Sequence, residues 1–588
     1  MNDQPEQKPQ PTPPRKPSSG CLGSLFKFFL VVFLLLVIGY FIPRTRHSEL
    51  GAIAGFFHRI QEFSDKLARI VEQVDKELSV SGLPMLKAHT NTIILDVGLT
   101  NELLRSVWHR TPEGSDVFPA ALFRALPDPV NGRPIVENLM NYGFTPDPDD
   151  DTGLPVGFSH IRTGDFVMTG INCAACHSTQ ISYQGHTMHI DGGPNQVDVQ
   201  LFYERVRTGL EKLLRLEEPE KFATFVIRFI KYNEMELKNS PHLPQGPINI
   251  ELDDDGMKLF MAFLKNKLQT LQRIEKSFSH QTEAGPGRAD SFGIIRNMLM
   301  MKPVTTEDNF MPMTAPVSIP HLFGFNTFTN LHCDGNTTSP FERNFAQAVA
   351  LGADFNPDDF TSSVDPTSLF QLEEAARLLH PPKWPELILG KLDTNKVARG
   401  KTLFRSAGCI ECHAHEGWHS LDIVGTDPNR IDNYNTALQG AEPSYAKMLA
   451  VGSQKLEQRA FELAKISPEA QKKMAGWHEG VPTVWIQTKD KGYFTRPLLG
   501  LWATAPYLHN GSVPTLYDLL QPAANRPKKF ALGQREYDPK KVGFVEDVAK
   551  PSWTFNATLP GNLNTGHEFG TKLSEDDKWS LIEYLKTL

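Results

Sequence analysis

The chain has 588 residues, 60 Lys and Arg against 68 Asp and Glu, and a formal net charge of −8. That is an ordinary globular composition, long enough for about three to four domain-sized units, and its slightly acidic balance gives no basis for nucleic acid or anionic lipid as a partner. Of six cysteines, Cys21 and Cys333 stand outside any paired motif, on opposite sides of a hydrophobic segment, so no disulfide framework is expected.

Residues 1–21 are proline-rich without a periodic apolar face, which predicts a disordered cytoplasmic tail. Residues 22–42 are apolar apart from Ser24 and Lys27. Their length sits at the threshold of the ~20 residues that a transmembrane helix needs. Lys8, Arg15, Lys16 and Lys27 precede the uncharged core, while Arg44 and Arg46 follow it, so the basic excess predicts an N-inside orientation. The expectation is a single-pass anchor in the cell inner membrane with the body in the periplasm. The rival is a cleaved signal peptide, for which Ala52-Ile53-Ala54 is a small-x-small site beyond Pro43 and the two arginines. Ser48 to Val80 then carries apolar residues at helical spacing, including Ile60, Leu67, Ile70 and Val71. It is expected to form a helical stalk, or a helix lying on the first domain, within an N-terminal extension over 43–150.

Residues 110–160 are rich in turn signals, TPEGSD and TPDPDDDTGLP among them. The next segment contains Cys173-Ala-Ala-Cys176-His177, and Cys409-Ile-Glu-Cys412-His413 repeats the pattern. C-x-x-C-H is the attachment pattern of a c-type haem: each cysteine sulfur binds a porphyrin edge and the histidine supplies the proximal nitrogen to iron. A zinc site would need a second Cys/His pair at ligand spacing, and a redox pair would not need the histidine. Two covalently bound haem c groups are therefore expected, and this attachment is ordinarily completed outside the cytoplasm, in agreement with the export signal. The cofactor-binding residues are Cys173, Cys176, Cys409 and Cys412; His177 and His413 are iron ligands.

Residues 151–390 read as an N-terminal haem c domain with insertions, helical from Asp198 to about Arg273 and irregular over 285–345. Residues 391–588 read as a C-terminal cytochrome c domain. Its helix before the second motif carries Gly400, where another helix can approach closely. Its closing helix starts at a Ser574-x-x-Asp577 capping pattern and presents Trp579, Ile582 and Leu585 on one face. The expected fold class is mostly α: two cytochrome c-like haem domains with long loop-rich insertions, preceded by the N-terminal transmembrane helix.

The sixth ligand separates a carrier from an enzyme, because two strong ligands favour electron transfer whereas an open position admits dioxygen, peroxide or substrate. For the second haem, His567 in a Gly/Asn-rich loop before the closing helix is the leading candidate and His509 the runner-up. His415 and His419 lie too near His413 in sequence to reach the opposite face easily. For the first haem, His186, His189 or Met168 are candidate caps on an otherwise open site. Phe323, Phe325 and Phe328 are candidate walls of a distal pocket, or simply core. Arg288 is a candidate partner of a haem propionate, or an exposed loop arginine.

Together these segments resemble the di-haem cytochrome c peroxidase superfamily, and most closely its larger branch with the rubber oxygenase and the bacterial di-haem fatty-acid dioxygenases. The resemblance runs unevenly over about residues 155–588. It is carried by NCAACHSTQISYQGHTMHIDGGP, GPGRADSFG, TAPVSIPHLFGF, DGNTTSPFERNFAQAVALG, ARGKTLFRSAGCIECH, TRPLLGLWATAPYLHNGSVPTLYDLL and GNLNTGHEFGTKLSEDDKWSLIEYLKTL. It implies a six-coordinate C-terminal haem whose second histidine maps onto His567. It also implies an N-terminal haem with an open distal face that performs the oxygen chemistry, with His177 as proximal and catalytic ligand. Two features depart from the branch: the expected anchor, since the rubber enzyme is secreted, and the stretch PHLFGFNTFTNLHCDG, which does not support residue-by-residue transfer.

The expectation is thus an exported haem-dependent oxidoreductase, dioxygenase-like or a peroxidase. The N-terminal haem would activate dioxygen or hydrogen peroxide, with an unsaturated lipid-like substrate, and the C-terminal haem would hold or relay electrons. The alternatives are a hydrogen-peroxide reductase fed by an electron-donor cytochrome, and a non-enzymatic membrane-anchored electron-transfer cytochrome.

Overall fold

The computed structural model describes residues 49–588 except 87–90, 150–151, 241–242, 247–253, 301–310, 437–443, 479–480 and 546–550. The tail at 1–21 and the apolar segment at 22–42 lie outside the described residues. The expected fold class is corrected on two counts. Among the described residues no helix is long and apolar enough to cross a membrane, so a transmembrane helix and the single-pass inner-membrane anchoring drawn from it are unsupported. The protein is also about 45% helical with small sheets, not simply mostly α.

The first described helix, Glu49–Ser81, shows why it is no membrane span. It carries a charged residue in nearly every turn, and only one stripe is apolar. Leu67 and Val74 on that stripe are buried, with Ile70 and Val71 packed beside them. The helix lies on Pro219–Lys238, to which it is tied by ion pairs Lys66–Glu220 (2.9 Å) and Glu77–Arg228 (2.9 Å). Of the two expected placements, the structure shows the helix packed on the body.

The sheet around the first motif has no counterpart in the sequence reading. Ser178–Tyr183 begins directly after His177 and runs antiparallel to His186–Asp191, with Gln180 opposite His189. Thr92–Ile94 joins the outer side in parallel, pairing Ile94 with His189. A two-residue reversal at Gln184 and Gly185, both at positive φ, makes the hairpin tight.

In the C-terminal part, Thr394–Ser406 crosses Glu575–Leu585 as expected. A Cβ on Gly400 would stand 2.0 Å from the Ser580 carbonyl oxygen, so the backbones meet at a point with room only for hydrogen. Phe404 packs edge-on to Tyr584, and the Ser574 side chain caps the closing helix by accepting from the Asp577 N–H. The apolar core beneath this crossing also includes Ile181, Met188 and Ile190 of the N-terminal sheet, so one core joins segments on both sides of residue 390.

Candidate haem centres

Cys409–His413 forms a single helical turn that starts after Gly408 at φ 81°. His413 donates its Nδ1–H to the Arg496 carbonyl (3.2 Å). Since a carbonyl can only accept, the lone pair lies on Nε2, the atom needed for a metal. His567 stands across from it, with ring centroids 6.4 Å apart and planes at 52°. A metal held between two imidazole nitrogens at about 2 Å on each side needs centroids about 6 Å apart. Both histidines line one cavity of ≈ 250 Å³ together with Cys409, Cys412, Leu501 and Leu519.

The loop that presents His567 is built for the task. His567 has a positive φ of 47°, and its N–H donates to the Val424 carbonyl (2.7 Å). Buried Arg526 binds the carbonyls of Asn564 (2.8 Å), Gly566 (2.8 Å) and His567 (3.0 Å). Burial lowers the His567 imidazole to about 4, so it is neutral, and its buried Nδ1 has no hydrogen-bond partner. A neutral histidine ring opposite a second one, in a cavity that also holds two cysteines, fits a haem c with two axial histidines.

His509 is placed otherwise. It stacks on Tyr493 at 4.1 Å, and its Nε2 lies 2.9 Å from the tyrosine oxygen, whose own hydrogen goes to the Asp427 carbonyl. It orders a loop: it borders a cavity of ≈ 390 Å³ with His413 and His567, but its Nε2 is engaged by Tyr493. His415 is exposed, and His419 lies beside Cys412 on the proximal side.

At the first motif, Asn172 caps the turn Cys173–Cys176 by accepting from the Ala174 N–H (2.9 Å), while its amide donates to the carbonyls of Trp108 and Thr111. His177 donates Nδ1–H to the Pro320 carbonyl (2.8 Å), matching the His413–Arg496 arrangement. Burial brings His177 down to about 4 and pushes Cys176 up to about 12. Two cysteines one helical turn apart, beside a histidine whose Nδ1 is engaged by a carbonyl, fit thioether attachment with a neutral histidine ligand.

The surroundings of His177 differ from those of His413. Its cavity of ≈ 80 Å³ is shared with Cys173, Arg343, Gln347, Glu373 and the aromatic Phe325 and Phe328. Phe323 lies behind, stacked on His321, whose Nδ1 is buried without a partner. His332 also borders the cavity, but both its nitrogens are taken, by Asn336 (2.7 Å) and by Arg343 Nε (2.9 Å). None of the expected caps lines it: His186 is exposed, Met168 sits in the strand Phe166–Thr169, and His189 is buried in a separate His–Asp cluster.

Arg343, Gln347 and Glu373 escaped the sequence reading. The available signal was Phe341-Glu-Arg343-Asn-Phe345-Ala-Gln347, where an arginine and a glutamine four apart share a helix face. Glu373 carries a proton to about pH 8 because burial outweighs its bonds to Asn344 and the field of nearby arginines. Arg288 is not an exposed loop arginine: it borders a cavity with Cys176 and His177, and its buried Nε has no partner, which leaves that nitrogen available to a propionate. It is buried, bonded to the carbonyls of Ala284 and Pro316 and to Asn562, and lies over Phe555.

Residues 492–531 match the family described as RoxA-like, cytochrome c-like. They include Arg496, which fixes His413, and the wall of the His413–His567 cavity from Leu498 to Leu520. An uncharacterized protein of Sinorhizobium fredii, y4iJ, is 29% identical over 570 residues, covering 82% of this chain and 91% of its own length. A second from the same organism, y4iM, is 30% identical over 305 residues, 47% of this chain and 65% of the relative. The match supports a RoxA-like di-haem cytochrome relationship, and its cytochrome c-like character implies haem c binding and a haem oxidoreductase in general.

Proposed function

We propose that the chain is an exported oxidoreductase with two unequal haem c groups. Cys173, Cys176 and His177 would hold the first, which binds and activates dioxygen or peroxide. Cys409, Cys412 and His413 would hold the second, closed by His567, which stores or relays an electron. The observation that carries this reading is the asymmetry of the two cavities. His567 stands opposite His413, whereas the His177 cavity presents Arg343, Gln347 and Glu373, and its His321 is stacked on Phe323.

When bound, haem supplies one-electron and oxygen chemistry; the protein sets access, charge and proton supply. His177, aimed by the Pro320 carbonyl, fixes the proximal side. Arg343, in the same cavity as His177, would supply a positive charge able to stabilise negative charge developing on an oxidant bound there. Glu373 is protonated at neutral pH, with Oε1 bonded to Asn344 and Oε2 free, so it can deliver or take up a proton. Phe325, Phe328, Leu331 and Leu372 keep bulk water out.

That apolar wall and the family resemblance favour oxygenation of an unsaturated, lipid-like substrate. The Arg343–Glu373 pair favours a second reading, reduction of hydrogen peroxide by an electron-donor cytochrome. Oxygen uptake with an unsaturated fatty acid or polyisoprene, set against peroxide reduction by a reduced small cytochrome, tests both. The proposal predicts one of the two activities and its loss by at least tenfold in Glu373→Gln. Neither activity in the fully haem-loaded protein leaves only electron transfer.

A further inference from the structure

His189, expected as a haem cap, instead joins a buried cluster behind the first motif. The Nε2 atoms of His109 and His189 lie 2.9 and 3.0 Å from the same oxygen, Oδ1 of Asp191. Ser178 Oγ donates to that oxygen as well, at 2.7 Å, and itself accepts from Trp108 Nε1 (2.9 Å). One carboxylate oxygen thus meets three groups, while its twin, Oδ2, is buried with no partner; so is Nδ1 of His189. Buried polar atoms are nearly always paired. Here the crowded and the unpaired atoms are different atoms of the same two residues, His189 and Asp191.

From these contacts we infer that His109, His189 and Asp191 form a site for one divalent transition-metal ion of the zinc class, separate from the haem irons. One ligand atom from each residue lies within 4.8 Å of the others. In a tetrahedral site with arms of about 2.0–2.1 Å, ligand atoms stand about 3.3 Å apart, so the two imidazole–carboxylate contacts need lengthen by only a few tenths of an ångström. The second shell is already in place. Asp147 lies 3.1 Å from His109 Nδ1, which donates to it and leaves Nε2 to face the ion, the carboxylate–histidine–metal arrangement. Arg110 holds Asp147 in turn (2.6 Å). Two imidazoles and one carboxylate, with the Ser178 hydroxyl beside them, match zinc-type preferences, not the all-oxygen shell of calcium or magnesium.

Placement gives the ion a structural task. His109 comes from the helix Glu102–Arg110, His189 and Asp191 from one strand, and Ser178 directly follows His177. An ion at this point would pin the helix and the sheet behind the first haem-binding turn.

The test is elemental analysis of the full-length, haem-loaded protein by mass spectrometry, before and after incubation with zinc and gel filtration. Total iron is compared with haem so that non-haem iron is also counted. The inference predicts about one non-haem transition metal per chain, lost in His189→Gln and in Asp191→Asn while haem content is kept. A chelator should also strip it from the wild type and lower the thermal midpoint, with no such shift in His189→Gln. If the wild type holds no non-haem metal even after zinc, or His189→Gln holds as much as the wild type, the cluster is a hydrogen-bonded network and the inference is overturned. Because the readout is metal content, it is independent of any haem activity.

Discussion

His567 faces His413 across 6.4 Å, and its backbone is fixed by Val424 and Arg526 before any ligand arrives. The ligand is thus held by loop hydrogen bonds together with edge-on packing of its ring against Phe569. Replacing His567 with Ala should keep the covalent haem at Cys409 and Cys412 but convert that haem alone from low spin to high spin. His509→Ala should leave the low-spin signal in place. Optical and paramagnetic resonance spectra of the two variants decide this, and an unchanged second haem in His567→Ala would remove the assignment.

The crossing at Gly400 should tolerate no side chain. Its hypothetical Cβ meets a backbone oxygen, Ser580 O, at 2.0 Å and Tyr584 Cβ at 2.6 Å, so relief requires moving a helix. Overpacking of this kind costs about 1–3 kcal/mol, and Gly400→Ala should lose at least that in denaturant unfolding. Substitution at Gly417, which is not at positive φ and where a Cβ would meet nothing within 4 Å, is the control for helix-crossing effects.

Arg124 is fully buried against Glu236, with Nη2 2.9 Å from Oε1, and His160 shares the same carboxylate at 3.0 Å. Glu236 stays ionised despite its burial because the Arg124 charge and bonds from His160 and Arg124 hold it down at about 2. Removing the arginine strands that carboxylate. Arg124→Leu should therefore destabilise the N-terminal core by about 3–5 kcal/mol. A double variant Arg124→Leu/Glu236→Leu should recover part of the loss, and thermal melts of the three proteins check the order.

Glu373 gives a pH dependence with a definite sign. Its folded-state value, about 8, lies above that of an exposed glutamate. Between about pH 4.5 and 8 the native state therefore holds a proton that the unfolded state has lost. Its stabilising contribution is complete below pH 4.5 and fades as pH rises through 8. Glu457, raised to about 8, and Glu113, raised to about 7, act in the same direction by burial. In Glu373→Gln the fall in stability from pH 5 to pH 8 should be shallower than in the wild type, as read from denaturant midpoints across that interval. An equal slope would mean that Glu373 ionises normally.

What could be read in advance follows from how local each signal is. The haem turns, the Ser574 cap and the Gly400 crossing are written in a few adjacent residues, and the structure shows the cap and the crossing as expected. Loop composition makes His567 the leading candidate, and the structure brings it opposite His413 through Arg526, a partner about forty residues away that no spacing rule announces. The sheet at 178–191 was missed because its strand Ser178–Gln180 is buried yet polar, so it lacks hydrophobic alternation. Glu373 and Arg343 were missed for a related reason. They lie on different helices, and only the packing of Pro340–Ala350 against Pro366–Ala376 makes them one cavity wall. The transmembrane reading of 22–42 rested on hydropathy alone and receives no support from the described helices.

The central claim is that the two haem centres are unequal, and carbon monoxide binding to the reduced full-length protein, followed optically and by paramagnetic resonance of the oxidised state, tests it most directly. The account predicts one low-spin centre with two histidine ligands that never binds carbon monoxide, and one centre that binds it at about one equivalent per chain. In His567→Ala that figure should rise to about two. Two centres that both remain six-coordinate and inert towards carbon monoxide in every redox state would contradict the account.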